Sequence, residues 1–179
     1  MEFKFVDMNY AYASEMINNW KYKDEYSIYD YCNEKEELLD ESLWGLGRFA
    51  VLNEKNNLIG ELTIEFFEEE NEESEDDGYV EYETILNDDK KIYEMWMGWG
   101  LKPELCGKGL GKEFILSCIE FAVKKYDYHG DYIRCAVAEF NKRAIKVYEK
   151  LNFEIFEICN VDIDNKETKI FRMKKKIKI

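Results

Sequence analysis

Between residues 99 and 112 the chain leaves a β-rich run, passes Pro103 and crosses Gly107, Gly109 and Gly111 into a long amphipathic helix. No other stretch constrains the fold as strongly. Glycines let the backbone take positive φ and come close to a ligand, while a helix start offers N–H groups without intrahelical partners and a partial positive charge. In this order the pieces form an anion site suited to a pyrophosphate. The plainer alternative is a glycine-rich turn that only joins strand to helix. The helix is read over residues 110–126, with Leu110, Phe114, Cys118, Ile119 and Val123 along one side.

Spacing excludes two familiar phosphate loops. A P-loop requires Ser or Thr after its Gly-Lys, but Lys108 is followed by Gly109 and Lys112 by Glu113. A dinucleotide fingerprint requires G-x-G-x-x-G, and after Gly107 and Gly109 the third glycine position holds Lys112.

Around this junction the sequence predicts alternating elements. A strand over residues 3–6 is followed by a helix over 11–20, where Met16, Ile17 and Trp20 fall at helical spacing. A second helix is expected over 34–44, with Leu38, Leu39 and Leu43 on one side. Residues 49–52 and 58–67 form a hairpin across a turn of Asn and Lys. The run EEENEESEDD at 68–77 cannot pack in a core and reads as a solvated loop. Residues 79–86 and 91–101 are expected as strands joined by a turn at 87–89. A strand over 132–138, a helix over 141–151 and two strands over 153–161 and 168–174 complete the chain. This order predicts an α/β (α+β) fold in which helices cover a mixed sheet, organised as a single domain over 1–179.

The chain is 46% hydrophobic and 16% aromatic, enough apolar surface for a folded core. It contains no apolar run near the roughly 20 residues needed to cross a bilayer, and its N-terminus lacks a signal-peptide pattern. A cytoplasmic location is expected. Five cysteines without paired C-x-x-C spacing indicate free thiols rather than disulfides or a zinc site. With 25 Lys and Arg against 39 Asp and Glu, the net charge of -14 disfavours nucleic acid and anionic membranes as partners. The same field attracts cationic substrates, although solubility is the commoner reason for an acidic surface.

Gly109 and Gly111 match motif A of the GNAT acetyltransferase superfamily, R/Q-x-x-G-x-G/A, with Cys106 in place of the usual Arg or Gln. Residues 141–153 resemble its motif B, N-x-x-A-x-x-x-Y-x-K-x-G-F, through Asn141, Ala144, Tyr148, Lys150 and Phe153. Asn152 stands where the pattern has glycine, and Asn is the natural substitute at a left-handed helix C-cap. One helix and one strand separate the two motifs, as in the family. The resemblance covers residues 91–175; the N-terminal half matches by element order.

The resemblance implies the GNAT acyl-CoA N-acyltransferase fold, a mixed, mostly antiparallel sheet flanked by helices, with acetyl-CoA as cosubstrate and no metal. It assigns Gly107, Lys108, Gly109, Leu110, Gly111 and Lys112 to the pyrophosphate. The backbone at Trp99, Gly100 and Leu101 would border pantetheine and the thioester carbonyl, because in the family this strand splays from the next, here starting near Tyr132. Asn141 resembles the residue that contacts the pantetheine arm, with helix capping as its structural alternative. Tyr148 resembles the tyrosine near the CoA sulfur, where a phenol can protonate a departing thiolate; core packing is its alternative.

The reaction implied is direct attack by a neutral amine, so a base must remove a proton. Glu94, on the strand leading into motif A, is the first candidate, with Glu65, Glu81, Glu83 and Glu139 behind it. Tyr22, Tyr26, Tyr29, Tyr31 and Trp44 fall where family members place substrate-binding helices, and either line an acceptor pocket or pack the core. A nucleophile and base pair of Cys106 and His129 is not adopted, since His129 reads as a loop residue. Small amines, antibiotics, amino acids and protein N-termini or lysines all suit the fold as acceptors, and the fold is compatible with an oligomer. The competing readings are a catalytically silent CoA-binding sensor and an interaction module that uses the acidic loop.

Overall fold

The computed structural model describes residues 2–68, 78–87, 93–163 and 165–177. Its strands form a seven-stranded sheet in the order β1-β2-β3-β4-β5-β7-β6. These are β1 (Lys4–Asp7), β2 (Arg48–Leu52), β3 (Leu58–Glu68), β4 (Tyr93–Leu101), β5 (Tyr132–Ala138), β6 (Phe153–Ile163) and β7 (Lys166–Lys176). The helices are α1 (Tyr10–Asn19), α2 (Lys35–Leu38), α3 (Tyr82–Asn87), α4 (Gly111–Tyr126) and α5 (Lys142–Lys150). β1, β2 and β3 pair antiparallel in sequence, as do β5, β7 and β6, whereas β4 and β5 run parallel. The mixed, mostly antiparallel sheet expected from the sequence is therefore present.

The chain divides into two compact units, Met1–Thr63 with Trp99–Cys118 and Ile64–Gly98 with Ile119–Ile179. In the first, Asn9 caps α1 by accepting from the Tyr12 amide at 3.0 Å. α1 then buries Ala13 and Met16, which join Met8, Trp20, Tyr31, Leu38, Ala50, Leu52 and Leu58 in one apolar cluster. In the second, Phe66 packs edge-on against Tyr82 and Tyr126 with ring centroids 6.2 and 4.8 Å away. The core of that unit continues through Met95, Ile133, Cys135 and Met173.

Two elements depart from expectation. The helix expected over 34–44 is only α2, followed by a 3-10 turn at Glu41–Leu43. Asp40 intervenes by accepting from the Ser42 amide and hydroxyl at 3.0 and 2.6 Å, a local bond that competes with helix continuation. The strand expected over 79–86 is instead α3. Its Tyr82 inserts under the sheet and donates to the Ile64 carbonyl at 2.6 Å, so tertiary packing decides a run too short for periodicity to settle. The strand expected over 91–101 starts at Tyr93 within the described residues. The acidic run at 69–77 and the turn residues 88–89 lie outside the described residues.

Candidate active site

The glycine junction has the local geometry expected of it. Lys102 donates its amide to Ile59 O at 2.9 Å, tying the end of β4 to β3. Pro103–Leu105 forms a single 3-10 turn. Gly107 and Gly109 then take φ values of +76° and +82°, which glycine adopts without the strain a Cβ brings. A Cβ built on Gly109 meets no atom within 4 Å, so the turn is open on that side. α4 follows, and its first intrahelical bond runs from Phe114 N to Leu110 O at 3.0 Å. The amides of Gly111 and Lys112 therefore belong to the first turn, where helices leave N–H groups for an outside partner. This donor set, with Lys108 and Lys112 exposed beside it, fits an anionic diphosphate.

β4 reaches the junction through Trp99, Gly100 and Leu101. Gly60 on β3 admits close packing here: a Cβ on it would stand 2.6 Å from the Phe114 ring and 3.0 Å from Gly100 O. A Cβ on Gly100 would collide with the Tyr31 hydroxyl at 2.0 Å. Tyr22 Oη donates to Leu101 O at 2.8 Å, and the Cys106 thiol faces the same carbonyl at 3.6 Å. Cys106 thus braces the loop from within where the family pattern has Arg or Gln. Beside it, Glu15 and Lys102 pair at 2.9 Å in the lining of a cavity of about 470 Å³ that also includes Tyr12, Asn57 and Leu58.

In the second unit, β4 pairs with β5 at Met95↔Ile133 and Trp96↔Arg134, while β5 is paired with β7 along its whole length. Asn141 is the N-cap of α5, its side chain accepting from the Ala144 amide at 3.2 Å. Tyr148 is buried on α5 with its ring 5.6 Å from that of Phe153. Asn152 has φ of +61°, the left-handed C-cap that glycine fills in the motif. Both structural alternatives, the cap for Asn141 and core packing for Tyr148, are therefore met by the local geometry; neither excludes a second role.

The carboxylate candidates fare differently. Glu94 is largely buried, with Arg134 at 2.7 Å on one oxygen and the Trp96 indole N–H at 3.2 Å on the other. Each oxygen thus has one partner and a lone pair to spare. Glu65, Glu81 and Glu83 are exposed, and Glu139 pairs with Lys169 at 3.6 Å. His129 pairs with Asp127 at the surface, as a loop residue does, and no described cysteine is in a disulfide. Burial pushes the Cys118 and Cys135 thiols up, which makes them inert.

Glu61, a carboxylate not among the candidates from sequence, is 3% exposed on β3. Its Oε1 lies 2.6 Å from Arg48 Nη1 on the neighbouring strand. A signal existed: Arg48 and Glu61 are charges of opposite sign placed in or beside two apolar strand runs that were already paired as a hairpin.

The model of the acetyltransferase (GNAT) domain matches residues 7–154. The chain belongs to the GNAT acetyltransferase family. It is accordingly an acetyl-CoA-dependent N-acetyltransferase. No curated protein sequence matches this acetyltransferase. Among solved structures, it is similar to a spermidine N-acetyltransferase SpeG chimera from Vibrio cholerae and hSSAT, with a TM-score of 0.67, 18% identity, and 97% and 94% of the two chains covered. A dodecameric spermidine N-acetyltransferase from Vibrio cholerae gives 0.62 at 18% identity, covering 97% and 93%. A GNAT-family acetyltransferase from Bacillus anthracis gives 0.62 at 12% identity, covering 98% and 95%. At these identities the likeness concerns the GNAT fold.

Proposed function

We propose that this GNAT acetyltransferase acts as one domain to acetylate a primary amine on a cationic small molecule or peptide by direct attack, without an acyl-enzyme. The observation that carries the reading is the turn of Gly107 and Gly109 ahead of α4, open on the Gly109 side. When bound, acetyl-CoA supplies the thioester that the amine attacks. The amides from Gly107 through Gly111 hold the diphosphate, with Leu110 anchoring the helix start and Lys108 and Lys112 adding charge. Backbone at Trp99, Gly100 and Leu101 holds pantetheine and stabilises negative charge on the carbonyl oxygen. Asn141 contacts the pantetheine arm while it caps α5, and Tyr148 protonates the leaving sulfur. Glu94 serves as base while Arg134 and the Trp96 indole hold it in place.

A cationic acceptor is supported by the net charge of -14 and by structural neighbours described as spermidine N-acetyltransferases. A cytoplasmic location belongs to the same reading, which is compatible with an oligomer. A panel of spermidine, an aminoglycoside, free amino acids and a lysine peptide, followed by thiol release from acetyl-CoA, tests it. Turnover with a polyamine or another multiply charged amine is expected. Tight CoA binding with no thiol release from any amine would instead mark a sensor.

A further inference from the structure

Two reactive side chains that the cosubstrate cradle does not use stand together in the first unit. Lys21 Nζ donates to Cys32 Sγ at 3.0 Å, although 11 positions separate them along the chain. The packing beneath fixes this meeting. α1 ends at Trp20, and a 3-10 segment at Asp24–Tyr29 turns the chain back on itself. The residues just before the pair, Trp20 and Tyr31, are buried and pack edge-on with ring centroids 5.7 Å apart. On the other flank Asp30 Oδ1 accepts from the Tyr22 amide at 2.7 Å. Lys21 and Cys32 are therefore held opposite each other by their neighbours, while both remain exposed to solvent.

The two head groups are oriented further. The Lys21 ammonium also donates to Ile17 O at 3.3 Å and lies 3.7 Å from Asp30 Oδ2. The Cys32 thiol donates to Asn33 Oδ1 at 3.6 Å, and the Asn33 amide nitrogen is anchored in turn on Ser27 O at 3.2 Å and Ile28 O at 3.4 Å. In a protein that uses acetyl-CoA, a thiol and an amine at this distance can do together what neither does quickly alone. A thiolate is a strong nucleophile toward a thioester, whereas a lysine must first lose its proton. An acetyl group lodged on Cys32 then stands beside the Lys21 nitrogen, and an amine already in place needs no bimolecular encounter.

We propose that Lys21 is a self-acetylation site served by Cys32, with acetyl-CoA from solution as the donor. Cys32 gives its proton to solvent, and its sulfur bonds to the acetyl carbonyl carbon. The C–S bond of acetyl-CoA breaks, and CoA leaves as a thiolate that takes up that proton. Lys21 then gives one ammonium proton to solvent, and its nitrogen attacks the Cys32 thioester. The Cys32 S–C bond breaks and the sulfur takes an N–H proton, which leaves an amide on Lys21 and a free thiol on Cys32. At rest the bond to Cys32, with Asp30 adding to it, holds the Lys21 amine above its ordinary pKa and so protonated. Acetylation of the sulfur weakens that hold, so the first step prepares the amine for the second. The site requires acetyl-CoA alone and is independent of which amine is the acceptor.

The test incubates wild type, Cys32→Ser and Lys21→Arg with acetyl-CoA at about pH 8, where thiolate is plentiful, and follows intact and peptide masses with time. Wild type is expected to gain an acetyl group on Lys21 that hydroxylamine does not remove. Cys32→Ser should acetylate Lys21 about 10-fold more slowly or less, while its other lysines react as in wild type. Lys21→Arg should keep the acetyl group on Cys32, where hydroxylamine releases it. Both substitutions are at exposed positions and leave the buried Trp20 and Tyr31 rings in place, and circular dichroism checks that each variant is folded. An unmodified Lys21 in wild type, an equal rate in Cys32→Ser, or no acetyl group on Cys32 in Lys21→Arg overturns the proposal. None of these outcomes touches the amine-acetylation reading, which thiol release with added amines tests separately.

Discussion

Arg48 Nη1 stands 2.6 Å from Glu61 Oε1, and the two side chains are 7% and 4% exposed. Neither charge has water to fall back on, and while Arg48 also reaches Glu37 at 3.2 Å, Glu61 depends on Arg48 for its charge partner. Replacing Arg48 therefore strands Glu61, at a cost of roughly 3–5 kcal/mol. Arg48→Met is expected to destabilise the chain by about that amount, read as a lower midpoint in urea unfolding. A change under about 1 kcal/mol would mean that Glu61 is hydrated or neutral in the folded state.

The same carboxylate makes stability depend on pH. Burial holds the folded-state value of Glu61 above its ordinary 4.5, ahead of the opposing effect of Arg48. Between those two values the folded chain keeps a proton that the unfolded chain releases. The Glu61 contribution is therefore full below the ordinary value and is lost as pH rises through the folded one. The unfolding free energy of wild type minus that of Glu61→Leu should fall with pH across this window. A difference that grew with pH would contradict the assignment.

Gly109→Ala separates conformation from contact. Space is open at its Cβ position, but its φ of +82° is one that alanine resists, so a loss of about 1–2 kcal/mol in stability is expected without a steric clash. The larger effect should be on calorimetric acetyl-CoA affinity, because a relaxed turn no longer aims its amides. Unchanged affinity would remove this turn from the site.

Tyr148→Phe deletes one oxygen and keeps the ring that packs 5.6 Å from Phe153. With the phenol acting on the leaving sulfur, kcat should drop by roughly 100-fold while KM changes little. Rapid-quench or steady-state thiol release measures this. A rise in KM alone would assign Tyr148 to binding.

Asn141→Ala removes the acceptor for the Ala144 amide and should cost about 1 kcal/mol through the lost α5 cap. If Asn141 also contacts pantetheine, acetyl-CoA affinity falls as well, whereas Asn141→Asp keeps the cap. Calorimetry beside thermal unfolding distinguishes the two contributions.

Local sequence was most informative where one residue type satisfied one backbone demand. Asn152 could be read as a left-handed cap because few residues tolerate that conformation, and its φ is +61°. Residues 132–138 were bounded correctly as β5, and α4 and α5 to within one residue at each end, because their apolar spacing was long and regular. Residues 79–86 failed for the opposite reason. A short apolar run fits a strand or a helix equally, and only the seat of Tyr82 between Phe66 and Tyr126 resolves it.

The site divides along the same line. By itself the sequence determined the glycine turn, the helix start behind it and the family, since each rests on spacing along a continuous stretch of chain. Only the tertiary structure decided which carboxylate is buried, because burial depends on neighbours brought from Arg48, Tyr31 and Tyr22, distant along the chain from Glu61 and from Leu101. A charge cannot be valued from its own position; its partners set what it can do.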